Sequence, residues 1–144
     1  MLVLNKQLKR PVALRPLLLA LTLSLGIPLL SCADANLIGP ANALEVANTP
    51  DAFEWQVSVL ENVTQTLTYT WQNSGTTANV DQSSSITAGT ATVTITDADG
   101  MQVYSSSLVQ DGTFTTDAGT AGGWTIEVVL SGVDGTLNFR VDAP

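Results

Sequence analysis

The sequence predicts an all-β protein, an antiparallel β-sandwich of seven or eight short strands. Apolar residues alternate with polar ones at a period of two through most of the chain beyond residue 50, and no window there shows helical spacing. Turn signals rich in Gly, Asp and Asn recur between the alternating runs. Strands with one apolar face each need a second layer to cover it.

The clearest strands come first. Phe53, Trp55, Val57 and Val59 alternate with Glu54, Gln56 and Ser58, and Leu67, Tyr69 and Trp71 alternate with Thr66, Thr68 and Thr70. Val93 and Ile95 sit between Thr92, Thr94 and Thr96. Trp124, Ile126, Val128 and Leu130 have Thr125 and Glu127 facing out, and Leu137, Phe139 and Val141 alternate with Thr136, Asn138 and Arg140. Threonine suits the outward positions because its branched side chain favours a pleated backbone. Weaker patterns suggest further strands near 78–86, 101–108 and 113–116. Breaks are expected at NSG (73–75), AG (88–89), DADG (97–100), DG (111–112) and GVDG (132–135). Whether the sandwich is jelly-roll or immunoglobulin-like is left open by these patterns.

Ahead of this domain the chain changes character. Lys6, Lys9, Arg10 and Arg15 precede an almost wholly apolar run at 16–30, the arrangement of a cleaved secretory signal. The run is too short for a spanning helix, which needs roughly 20 apolar residues, and Pro28 interrupts it. It ends Leu29-Leu30-Ser31-Cys32, which resembles the lipobox of bacterial lipoproteins. That resemblance implies a signal peptide over 1–31, cleavage before Cys32, and lipid on the Cys32 thiol. It also implies an outer-membrane or cell-surface destination, because Ala33 stands where an inner-membrane-retaining Asp would otherwise be. The competing expectation is an ordinary signal peptide in which Cys32 is incidental. Residues 33–50, rich in Ala, Asn and Pro, are expected to form a flexible tether of up to roughly 60 Å. Alternatively Leu44 and Val46 begin an edge strand. The sandwich domain is then 51–144.

Charge limits the partners. All thirteen acids lie beyond Cys32, and Arg140 is the one base there, a formal balance of −12. Nucleic acids and anionic lipid surfaces are recognised through Lys and Arg, so neither is an expected ligand, and membrane attachment must come from acyl chains.

Catalytic chemistry is equally constrained. The chain has no histidine, no lysine beyond Cys32, and no cysteine other than Cys32, so the usual bases and nucleophiles of hydrolytic triads are missing. A carboxylate pair such as Glu54 with Glu127 is conceivable, but both occupy outward phases where solvated acids are ordinary. Asp97 and Asp99 in DADG resemble the start of an oxygen-ligand calcium loop, with Asp111, Asp117 or Asp134 as distant contributors. The same Asp and Gly residues are also what a hairpin turn requires. Trp55, Tyr69, Trp71 and Trp124 fall on core phases, while Tyr104 is out of phase and expected outside.

One further likeness lies at the C-terminus. GTAGGWTIEVVLSGVDGTLNFRV, at 119–141, resembles the last hairpin of small extracellular sandwich modules such as pre-peptidase C-terminal domains and the P domain of proprotein convertases. It implies an accessory, non-catalytic role. The expectation is thus a lipid-anchored, non-catalytic envelope protein without a resident cofactor, binding an envelope protein or glycan or serving a structural role. The alternative is a calcium-dependent carbohydrate- or protein-binding module of an exported complex.

Overall fold

The computed structural model describes residues 36–144, so Cys32 and the signal region lie outside the described residues. Seven strands follow a single 3-10 turn at Pro40–Asn42: β1 Glu45–Thr49, β2 Ala52–Asn73, β3 Asn79–Gln82, β4 Ser85–Thr96, β5 Gln102–Ser107, β6 Gly112–Thr115 and β7 Gly122–Asp142. All seven pair antiparallel.

The architecture rests on β2 and β7, 22 and 21 residues long. Both bend at mid-length, where their pairing register shifts at Val57/Leu60, Leu60/Val63 and Val63/Gln65. Such bulges let one strand leave one layer and enter the next. Before the bend, the first half of β2 joins the last half of β7, flanked by β1 on one side and by β3 and β6 on the other. Beyond it, the second half of β2 joins the first half of β7, followed by β4 and β5. The result is a β-sandwich in which β2 and β7 run through both layers and the start of β4 reaches across the bend, Ser85 and Ile86 pairing with Thr136 and Gly135.

The alternation read from the sequence places most of the core correctly, but Val59, read on the inward face with Phe53, Trp55 and Val57, is 63 % exposed because the register of β2 shifts between Val57 and Leu60. Phe53, Trp55, Val57, Val80, Leu137, Phe139 and Val141 from one layer meet Trp71, Val93, Ile95, Trp124, Ile126, Val128 and Leu130 from the other, all buried. Tyr69 ties the layers together: its ring lies 5.4 Å from that of Phe53, and its hydroxyl accepts a 2.9 Å bond from Trp55 Nε1.

Besides AG at 88–89, where β4 runs on through a register shift and does not break, three expectations need correction. GVDG at 132–135 does not reverse the chain, so 124–130 and 136–141 form two halves of one strand and not a hairpin. Gly132 and Gly135, at φ +59° and +134°, supply bulge backbone there; DG serves a bulge as readily as a turn. Residues 36–49 are not a free tether. Asn36 bonds to the bend through Asn36 N to Asn62 O (2.9 Å) and Thr64 N to Asn36 O (3.0 Å), Ile38 packs on the core, and β1 pairs with β2. The edge-strand alternative is therefore the one observed, beginning at Glu45.

Tyr104 is the third correction. It is half-buried, and its ring lies 6.3 Å from that of Phe114 on β6. Its hydroxyl is 3.0 Å from the carboxamide of buried Gln82, whose nitrogen then reaches the carbonyls of Gln110 (2.7 Å) and Ser107 (3.2 Å). This polar cluster closes the side of the sandwich where β3 and β5 face each other across the layers. Burial pushes the Tyr104 hydroxyl above its ordinary pKa, partly offset by a bond to Ser106.

Candidate functional site

The DADG turn is at the end of β4, and its first acid is almost wholly buried, with 4 % exposure. Asp97 Oδ2 accepts from the Thr120 amide at 2.8 Å, and Oδ1 accepts from the amides of Met101 (2.8 Å) and Asp99 (3.0 Å). These bonds, Thr120 first and Met101 next, hold its carboxyl below the ordinary value against the opposing effect of burial. Asp99 reaches the same neighbour from the other side, its Oδ2 accepting from Thr120 Oγ1 at 2.7 Å. The two acids therefore clasp the 117–121 loop. Gly119 is part of the clasp, because a Cβ there would lie 2.7 Å from Asp97 Cβ and 2.8 Å from Val103 Cγ1.

Of the more distant acids, Asp117 begins the clasped loop, its amide donating to the Val103 carbonyl at 2.9 Å, while Asp111 and Asp134 are not brought to this turn. Asp111 Oδ1 accepts from the Ser84 amide at 2.9 Å, and Asp134 Oδ1 accepts from the Asn62 amide, both toward the bend at the other end of the sandwich. Among the described residues no group of three or more His, Cys, Asp or Glu side chains is placed to hold a metal ion.

The outer face of the first layer carries the richest mixture of polar groups. Register across β1, β2, β7 and β3 sets Ala47, Glu54, Arg140 and Asp81 in one row. Glu45, Gln56 and Asn138 form the next. Arg140 bonds Glu54 at 2.6 Å, and Asn138 Nδ2 donates to Gln56 Oε1 at 2.9 Å. These side chains line a depression of about 280 Å³. Both members of the ion pair are more than half exposed, so it orients the groups more than it stabilises the fold.

The outer face of the second layer differs. Its rows read Thr66, Val129, Thr92, Ser107; then Thr68, Glu127, Thr94, Ser105; then Thr70, Thr125, Thr96, Gln102. Glu54 and Glu127 consequently point away from opposite layers and do not form a carboxylate pair. All three tryptophans are buried, so they do not form an exposed stacking platform.

The Arg140 row was not singled out from the sequence, because a row across four strands depends on register. The isolated positive charge among thirteen acids was the available signal. No family profile matches the chain, and no curated protein is similar to it. The fold defines the class, an all-β antiparallel sandwich with two polar outer faces.

Proposed function

We propose that this chain is a non-catalytic β-sandwich of the bacterial cell envelope, held to a membrane by lipid on Cys32 and acting as a binding or structural accessory. The carrying observation is the lone cysteine of the sequence, placed where the apolar run ends in Leu29-Leu30-Ser31-Cys32. The outer membrane or cell surface is the favoured address.

The face around Arg140, Glu54, Gln56, Asn138 and Asp81 is the best binding surface for an envelope protein or glycan. It offers a cation, carboxylates and amides beside a depression, a combination suited to polar ligands. Catalysis is not part of this reading, since Glu54 and Glu127 lie on opposite faces and Glu45, Glu54 and Asp81 beside the depression are exposed to solvent. Calcium is not part of it either, because the oxygens of Asp97 already accept three amide bonds.

The test is partitioning of the full precursor expressed in a bacterium. Wild type should enter the detergent phase, whereas Cys32→Ala should accumulate as uncleaved precursor or as soluble protein. Equal partitioning of both, with the signal removed from each, overturns the anchor. Photo-crosslinking from position 56 or 138 in the native envelope then identifies the partner.

A further inference from the structure

The end of the sandwich at which the described chain begins is also its most apolar exposed region. Asn36 is bonded to the bend by its amide, its carbonyl and its side chain, the last through Nδ2 to Glu61 O at 2.8 Å. Beside it, Leu37 is 68 % and Val59 63 % exposed, and the two help line one groove together with Pro40 and Val63. Val109, 57 % exposed, lies at the same end, just beyond β5 where the chain crosses to β6. Of the large apolar side chains that are more than half exposed, only Met101 among the described residues is at the opposite end.

Val59 is costly twice over. Its φ is +55°, in the left-handed region that a β-branched side chain strongly disfavours. Asn or Gly would relieve that conformation and also suit exposure to water. Apolar side chains in such a place make sense when they contact something apolar.

Chain length indicates what that is. Four residue steps separate Cys32 from Asn36, at most about 14 Å of fully extended chain. That is little more than the ~10 Å separating two packed sheets, so a lipid on Cys32 cannot leave the domain standing far off. We propose that the bend end of the sandwich rests on the surface of the bilayer that holds Cys32, with Leu37 and Val59 in the headgroup region and Val109 at the rim. The inference rests on the anchoring reading and adds an orientation to it. Both polar sheet faces then stand edge-on to the membrane, and the DADG end points away from it. Glu61, Asp111 and Asp134 lie toward the apposed end, which favours a neutral headgroup over an anionic one.

The test uses the chain from Cys32 to Pro144, coupled through the Cys32 thiol to a maleimide phospholipid in phosphatidylcholine nanodiscs containing a gadolinium-chelating lipid. Amide signals of 36–42, 58–63 and 108–111 should be lost selectively, while those of 97–101 and 117–121 persist. Leu37→Ser with Val59→Asn should restore the lost signals without unfolding the domain, since Asn tolerates the left-handed backbone at 59. Replacing half the phosphatidylcholine with phosphatidylglycerol should weaken the effect. Uniform loss, loss at the DADG end or on a sheet face, no loss anywhere, or a pattern that the double variant leaves unchanged each overturns the orientation. Because the lipid is attached chemically, none of these outcomes depends on processing in the cell. A native N-terminus without lipid would instead sink the anchoring reading.

Discussion

Trp71 and Trp124 are direct cross-strand partners in the β2–β7 pair, and their rings meet edge to face, centroids 5.9 Å apart at 87°. Only one of the two indoles has its N–H satisfied by a hydrogen bond. Trp124 Nε1 donates to the Thr120 carbonyl at 2.7 Å, whereas buried Trp71 Nε1 has no acceptor. Either residue changed to Ala should destabilise the domain by about 3–5 kcal/mol, and Glu127→Ala should change stability by less than about 0.5 kcal/mol. The Phe substitutions separate the pair. Trp124→Phe removes one of the two hydrogen bonds to the Thr120 carbonyl, which keeps the Ala98 amide at 3.4 Å, and should cost about 0.5–1.5 kcal/mol beyond lost packing, a loss Trp71→Phe does not incur. Urea unfolding of the five variants is the check, and equal costs for the two Phe variants contradict this assignment.

Gly119 should be intolerant of even a methyl group. Its Cβ position is closed by Val103 on β5 and by Asp97 just after β4, which three amide bonds to its carboxylate fix in place, so little can yield. Gly119→Ala should lower the melting temperature clearly, while Gly100→Ser, where the added Cβ meets open space, should cost only backbone strain at φ +86°.

Asp97 predicts a specific acid sensitivity. Its folded carboxyl is held below the value of 3.8 expected for a free Asp, chiefly by the Thr120 and Met101 amides. A depressed carboxylate contributes stability that is present above the unfolded value and disappears as pH falls through the folded one. The stability gap between wild type and Asp97→Asn should therefore be constant above about pH 5 and narrow toward about pH 2. A gap that widens on acidification contradicts the clasp.

Divalent ions should act on the acidic domain without selectivity. A specific calcium site would stabilise by RT ln(1 + [L]/Kd), about 2.7 kcal/mol at a hundredfold excess over Kd, and would prefer calcium to magnesium. The expected result is a small melting shift, alike for both ions and suppressed by monovalent salt. A saturable, calcium-selective shift that vanishes in Asp97→Asn with Asp99→Asn would restore the calcium-module alternative.

The sequence was most informative where a property depended on one regular strand, and it failed at the bulges, as for Val59. Period-two alternation places Phe53, Trp55, Trp71, Trp124, Ile126 and Phe139 inward because burial of a face is a local consequence of the pleat. Properties that need a partner strand were hidden. GVDG reads as a turn until its cross-strand neighbours show a bulge, and Tyr104 reads as exposed until Gln82 and Phe114 arrive from β3 and β6. The tether was misjudged because β1 has no buried residue and is held by its pairing with β2. Asp97 was singled out as a candidate calcium ligand or turn residue, whereas the bonds its carboxylate accepts depend on Thr120, 23 positions away.

The most direct test of the anchoring reading is the intact N-terminal peptide of the protein extracted from bacterial membranes, read by mass spectrometry. The expected species begins at Cys32 and carries a diacylglyceryl group on the thiol, with or without a further acyl chain on the new amino terminus. A mature peptide that begins elsewhere, or that begins at Cys32 with a free thiol, would contradict it.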